Sequence, residues 1–379
     1  MARSKRSSRG RDPAAGSKRA SRAAPPPGSA PPLTEWGDDA LIALFVRANH
    51  TSHGRIRTVC KRFDAVLKLP EFREERRETG YDEGGLIVVG GTSRGVQRLS
   101  EGWMLTRGTW RPLPPMASPR TAAATVVLNN QLFLLGGRGP KLARLDTVEA
   151  YDPQLHSWRS CPSLISCREG AAAAIIDSAI VVAGGVAEHS FTEGSMRHKV
   201  NEAVEKFRPA AGPTKLTPLP HDANLATGCE LDGLLYVAGG ARGNFLQVFD
   251  GSKWRQKASL PERRVQAASV AFNGKLMLIG GRTQPSVSED SGSESESDQG
   301  FEPTTSVILY NPCSNEWSSG PSLPAPRIRA RAVRRYNGTV VVVGGGGPPL
   351  SYDGNVWSEL PGIPGRGDLH SMSVGAVIL

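Results

Sequence analysis

Three arginines stand at one fixed distance ahead of a glycine pair. Arg120, Arg168 and Arg264 each lie 16 residues before the first glycine of Gly136-Gly137, Gly184-Gly185 and Gly280-Gly281. Arg327 and Arg329 bracket the same position ahead of Gly344-Gly345, and Ala223, next to Asn224, occupies it ahead of Gly239-Gly240. A guanidinium presents a planar fork of donors that suits carboxylates and phosphates. Equal register puts these side chains at equivalent places, and two outcomes are open. The arginines form a cationic ring that captures an acidic or phosphorylated target, or each bonds loop carbonyls and neighbouring acids.

Other chemistry finds no residues to carry it. Gly344–Pro349 is glycine-rich but lacks the Gly-Lys-Ser/Thr of a phosphate-binding loop. The seven histidines are dispersed, and His50 and His53 have no matching acidic or cysteine ligands nearby. No nucleophile elbow or Cys/His constellation stands out. The expectation is a chain that is not an enzyme, with no catalytic residues, metal or cofactor. Five scattered cysteines with no C-x-x-C fit a reducing compartment. With no apolar leader or long apolar run, cytoplasm or nucleus is expected.

The glycine pairs also mark a repeat. Apolar runs end at Gly90-Gly91, Gly136-Gly137, Gly184-Gly185, Gly239-Gly240, Gly280-Gly281 and Gly344-Gly345, at spacings of 46, 48, 55, 41 and 64 residues. Each unit reads as four strands. A strand of small residues, such as 121–128 or 170–176, precedes the apolar run. A third strand follows in 146–153, 201–207 and 306–312. A short fourth carries Trp110, Trp158, Trp254, Trp317 or Trp357, and 213–220 has no tryptophan in its place. Small residues suit strands that crowd a common axis, and a tryptophan can wedge between neighbouring sheets. The first unit, opening at Gly84, has no first strand ahead of it. The run Met372–Leu379 has the composition of that strand, so the chain's end is expected to pair with its first apolar run.

The rest of the sequence differs in composition. Residues 1–32 hold eight Lys/Arg against one Asp, much of the chain's net +10. With no apolar period they are expected to be a disordered basic tail. Lys5-Arg6 and Lys18-Arg19 allow a nuclear import signal, an organelle transit peptide or a plain solvated tail. Between residues 33 and 80, Leu41, Leu44, Phe45 and Ala48 share one helical face, opened by Asp38 and Asp39. A second face holds Ile56, Val59, Cys60, Phe63, Val66 and Leu67, stopped at Leu69-Pro70. Two helices make a small core that needs a partner surface. Ser286–Gly300 is acidic and serine-rich, and lies in a segment, 282–302, expected to be a disordered insert. It is either an inert loop or a phosphorylated one that competes for the arginine face.

The Gly-Gly, Tyr/Asp-Pro and Trp pattern resembles kelch repeats across 84–379. The resemblance implies a mainly β fold: a six-bladed kelch β-propeller closed by the C-terminal strand, preceded by a small helical domain. Residues 33–72 resemble an F-box in Asp38–Leu41, Val59–Phe63 and Leu69–Phe72, although Leu33-Thr34 departs from the usual Leu-Pro start. F-box followed by kelch implies a substrate receptor of an SCF-type ubiquitin ligase. Leu41, Leu44, Phe45, Val59 and Phe63 would then divide between a Skp-type adaptor, which links to a cullin, and their own core. The propeller face with Arg120, Arg168, Arg264, Arg327 and Arg329 would bind the target. The alternative is a kelch interaction scaffold without a ubiquitin role. No nucleic acid or membrane is expected as a partner.

Overall fold

The computed structural model describes residues 32–48, 55–56, 58–69, 71–72, 75, 84–93, 97–192, 195–200, 202–221, 223–284, 300–365 and 369–378. The basic tail up to residue 31, His50, His53 and residues 285–299 lie outside them; the expected disordered insert 282–302 is corrected at its ends, where Arg282–Gln284 pairs with Arg263–Val265 and with Glu302–Pro303. The chain divides into two compact units, 1–78 and 79–379.

The first unit holds helices α1 (Asp38–Phe45) and α2 (Lys61–Val66). Leu41, Ile42, Phe45 and Val46 pack on Phe63, Val66, Leu67 and Phe72. Phe45 and Phe63 meet edge-on with ring centroids 5.0 Å apart. Gly37, not an aspartate, is the N-cap of α1, and Asp38 and Asp39 sit in its first turn without a capping hydrogen bond. There they favour the helix dipole, and Asp38 pairs with Arg62 at 2.9 Å. The second expected helical face is interrupted. Cys60 is extended (φ −161°, ψ 160°) and caps α2, so Ile56 and Val59 precede that helix rather than continue it.

The second unit contains six four-stranded antiparallel sheets among the described residues. Sheet two runs Ala124–Leu128, Gln131–Leu135, Val148–Asp152 and Ser157–Cys161. Sheets three (from Ala172), four (from Thr227), five (from Ala268) and six (from Arg331) repeat that order. In sheet one the first strand comes from the far end of the chain. Ser373–Ile378 pairs with Gly84–Val89, Ser373 opposite Val89 and Ile378 opposite Gly84. The first strands of the six sheets neighbour one another in cyclic order, sheet six returning to sheet one.

Five tryptophans tie successive sheets. Each indole N–H donates to a backbone carbonyl at the exit of the preceding sheet: Trp158 to Pro114, Trp254 to Thr217, Trp317 to Ala258 and Trp357 to Pro321. Trp110 of sheet one donates to Pro361, after sheet six, at 2.7 Å. The ring of each tryptophan covers apolar surface while its polar edge is satisfied.

A second set of joins lies where the first strands begin. Ala122, Gly170, Leu225, Gln266, Arg329 and Ser371 occupy equivalent places, all with φ between 52° and 69°. The N–H of Ala122 donates to Ser371, Gly170 to Ala122, Gln266 to Leu225, Arg329 to Gln266, and Ser371 to Arg329. Left-handed backbone at a non-glycine residue costs on the order of 1 kcal/mol or more. The residue-to-residue hydrogen bonds offset it. The sequence showed no sign of this series of joins. Nor did it show the hairpin Val186–Thr192/Ser195–Val200, which extends from sheet three.

Candidate functional site

The arginines of the fixed register are interior. Arg120, Arg168, Arg264 and Arg327 are 1%, 0%, 2% and 3% exposed. Each uses its side chain within its own sheet and its backbone toward the preceding one. Arg168 Nη1 donates to the carbonyls of Gly184 (2.9 Å) and Ala203 (3.0 Å), and Nη2 bonds Glu205. The Arg168 carbonyl accepts the N–H of Gly137, from sheet two, at 2.8 Å. Arg120 repeats the scheme with the Gly136 and Thr147 carbonyls, Glu149 and the Gly91 N–H.

This explains the glycine pairs. At Gly90 φ is +64°, and a Cβ there would lie 2.4 Å from the Arg120 carbonyl oxygen. No side chain fits that approach. The pair ends the second strand and lets the next sheet's arginine close over it.

The acid partner decides how each arginine is held. Glu149 and Glu205 occupy the same third-strand position, opposite Leu134 and Val182. In sheet five that position, opposite Leu278, is Ile308. Arg264 turns instead to Glu262 at 2.5 Å, keeping the Gly280 and Ser306 carbonyls. Arg327 in sheet six donates to the carbonyls of Gly346 and Pro348. In sheet four the position, opposite Val237, is Gln247, and the arginine is Ala223. Gln247 is 1% exposed, and neither atom of its amide has a hydrogen-bond partner. Both halves of the pair are uncharged in this sheet. Burial lowers the Arg120 and Arg168 pKa values, and the facing glutamates oppose the shift. Both remain cations at neutral pH.

The expected surface ring is therefore corrected for four of its five members. A buried cation must be paired or hydrogen-bonded: buried Glu149 and Glu205 pair with Arg120 and Arg168, the partly exposed Glu262 pairs with Arg264, and Arg327 donates to two backbone carbonyls. Arg329 alone of the five is exposed. The surface charge at this end is carried by residues outside the fixed register. Arg138 follows Gly136-Gly137 directly, and its Nη1 lies 3.5 Å from Glu169. Arg144 Nη2 lies 3.3 Å from the other oxygen of Glu169. Arg98 is within electrostatic reach of Arg138 and Glu169. The sequence signal for Arg138 was its place immediately after a glycine pair, shared by Arg282 after Gly280-Gly281.

The first unit's expected residues divide by exposure. Leu41, Phe45 and Phe63 are 0%, 5% and 3% exposed and form its core. Leu44 and Val59 are 42% and 64% exposed. Among the described residues no group of three His, Cys, Asp or Glu is arranged to hold a metal ion, and no helix is long and apolar enough to cross a membrane.

Comparisons with known proteins agree with the repeat. The kelch motif matches residues 119–165. Kelch-like protein 35 of Mus musculus is 27% identical over 269 residues, 69% of this chain and 42% of that protein. N-acetylneuraminate epimerase of Yersinia enterocolitica is 28% identical over 151 residues, 38% of this chain and 36% of the enzyme. The chain thus spans less than half the length of these relatives. The solved structure of YjhT superposes with a TM-score of 0.59 at 14% identity, covering 72% of this chain and 96% of YjhT. The chain carries a kelch motif on a mainly β fold and is similar to kelch-repeat proteins.

Proposed function

We propose that this chain is the target-recognition subunit of an SCF-type cullin–RING ubiquitin ligase. The six sheets act as a six-bladed propeller, closed by Ser373–Ile378, whose loops hold a target protein. The helical unit acts as an F-box that docks a Skp-type adaptor and, through it, a cullin. Leu41, Phe45 and Phe63 keep that unit folded, and Leu44 and Val59 meet the adaptor. The observation that supports this most is their exposure beside a core already filled. Two large apolar side chains left outside a complete small core suit a partner surface. The chain itself performs no chemistry. It raises the effective concentration of a target lysine near the charged ubiquitin-conjugating enzyme.

Co-expression with a Skp-type adaptor followed by size-exclusion chromatography tests the reading. The full chain is expected to co-elute with the adaptor, and a chain starting at Gly80 to elute alone. Failure of the folded full chain to co-elute would favour the second reading, a kelch scaffold without a ubiquitin role. The kelch motif at 119–165 supports that reading independently of the helices.

A further inference from the structure

Sheet four lacks the buried ion pair but keeps the backbone that holds it elsewhere. In sheets two, three and five the arginine Nη1 donates to two carbonyls: Gly136 and Thr147, Gly184 and Ala203, Gly280 and Ser306. The second carbonyl of each set also accepts the N–H of the first glycine. In sheet four the N–H of Gly239 donates to the Phe245 carbonyl in the same way. The Gly239 and Phe245 carbonyls are therefore the counterparts, and the methyl group of Ala223 has no donor for them. Gln247 faces the same place. It lies opposite Val237 as Glu149 lies opposite Leu134 and Glu205 opposite Val182, and both glutamates reach the arginine from there. Gln247 is 1% exposed, and neither Oε1 nor Nε2 has a hydrogen-bond partner.

These groups define what would satisfy them. The two carbonyls only accept, whereas a glutamine amide both accepts and donates. A guanidinium has no acceptor for Gln247 Nε2 and would bring a charge into the interior with no acid facing it. A carboxylate has no N–H for the carbonyls. A primary carboxamide is planar like a guanidinium, is uncharged, and offers two N–H groups and one C=O. It can exchange two hydrogen bonds with Gln247 and donate toward the backbone. Phe245 fits the same ligand. At its position Thr147 Oγ1 and Ser306 Oγ accept from the arginine Nη2. Phe245 replaces that hydroxyl with an aromatic ring, stacked on exposed His221 at 5.6 Å between centroids. Apolar walls with a few convergent polar groups suit an uncharged ligand.

The series of backbone joins also has its gap here. Among the described residues the N–H of Leu225 makes no bond to Gly170, and the Ala223 carbonyl accepts from Ala226 at 3.1 Å. The chain entering sheet four thus lacks a tie that the other entries have. Local opening at that seam gives a small planar group its way in.

We propose that the place between Ala223, Gln247 and the Gly239 and Phe245 carbonyls binds an uncharged primary carboxamide. Its source is a glutamine or asparagine side chain of a partner or a free amide. The site goes beyond target recognition as read above and requires no ubiquitin role.

The test is a titration of the isotope-labelled full chain followed by two-dimensional NMR of its side-chain NH2 groups. The Gln247 pair is assigned by its loss in Gln247→Leu. Acetamide is expected to shift that pair saturably. N,N-dimethylacetamide, which has no N–H, and guanidinium chloride at equal concentration should bind at least about tenfold more weakly. Ala223→Leu, which fills the place with a side chain that cannot donate, should abolish the response in a chain that still melts cooperatively. A Gly/Ser nonapeptide with one glutamine, compared with the same peptide carrying glutamate, separates the sources. Binding of the glutamine peptide at least as tight as that of acetamide identifies a partner's side chain, and binding of acetamide alone identifies a free amide. No saturable shift with either probe would overturn the site, and so would an equal response to dimethylacetamide or guanidinium. These wild-type arms stand whether or not Ala223→Leu folds.

Discussion

Arg168 and Glu205 form a salt bridge in which the two side chains are 0% and 1% exposed. The same glutamate also accepts the backbone N–H of Ile165 and Ser166, and the same arginine takes two carbonyls. The pair therefore fixes the loop into sheet three as well as the end of its second strand. Removing one partner leaves a buried charge without compensation. Arg168→Ala is expected to cost about 3–5 kcal/mol of stability, read from the midpoint of a denaturant titration. Arg111→Ala, at an exposed position on the fourth strand of sheet one, should change stability by about 0.5 kcal/mol or less. Equal effects would contradict the division between interior and surface arginines.

Sheet four provides the reciprocal experiment. Ala223 and Gln247 stand where Arg168 and Glu205 stand in sheet three. Gln247→Glu alone buries an unpaired carboxylate, and Ala223→Arg alone brings in a guanidinium with no acid facing it. Each should destabilise. Together they should show a coupling of about 1–3 kcal/mol toward stability. A double-mutant cycle by thermal melting measures it, and strict additivity would mean that the two positions do not meet as their counterparts do.

Much of this arrangement was legible in the sequence. The glycine pairs gave the repeat, Trp110 to Trp357 marked the fourth strands, and the small residues of Ser373–Ile378 identified the partner of Gly84–Val89. Those signals are local: each is a residue type that one backbone geometry or one packing role requires. Which of the two outcomes left open held for Arg120 and Arg168 was not legible because it depends on third-strand acids at variable distances. Glu149 follows Gly136 by 13 residues, while Glu205 follows Gly184 by 21 because a hairpin intervenes. The shared Val-Glu of Val148-Glu149 and Val204-Glu205, with its loss in Leu246-Gln247, was the available clue. The break at Cys60 was hidden because apolar spacing on both sides of it fits one helical face.

The thiols should differ in reactivity. Part of Cys229 is accessible, yet its thiol is hemmed in by the inner strands. That burial, with Glu230 beside it, pushes the pKa up to about 12. Only thiolate reacts with alkylating reagents. At pH 8, iodoacetamide followed by peptide mapping should label exposed Cys313 well before Cys229. Labelling of both at one rate would contradict the packing around sheet four's first strand.

Gly90 should not tolerate a side chain. Gly90→Ala forces a methyl group to 2.4 Å from the Arg120 carbonyl at φ +64°. It should cost more than the roughly 1 kcal/mol of an ordinary left-handed alanine. Gly108→Ala, at φ +76° with nothing within 4 Å, pays the backbone cost alone. The difference between their melting temperatures checks the close approach.

The helical unit is expected to meet an adaptor through side chains outside its own core. The most direct test is the affinity of a Skp-type adaptor for the wild-type chain and for Leu44→Asp/Val59→Asp, measured by titration calorimetry with both chains melting at the same temperature. Tight binding by the wild type and none by the variant are expected. Equal affinities, or no binding by the folded wild type, would contradict it.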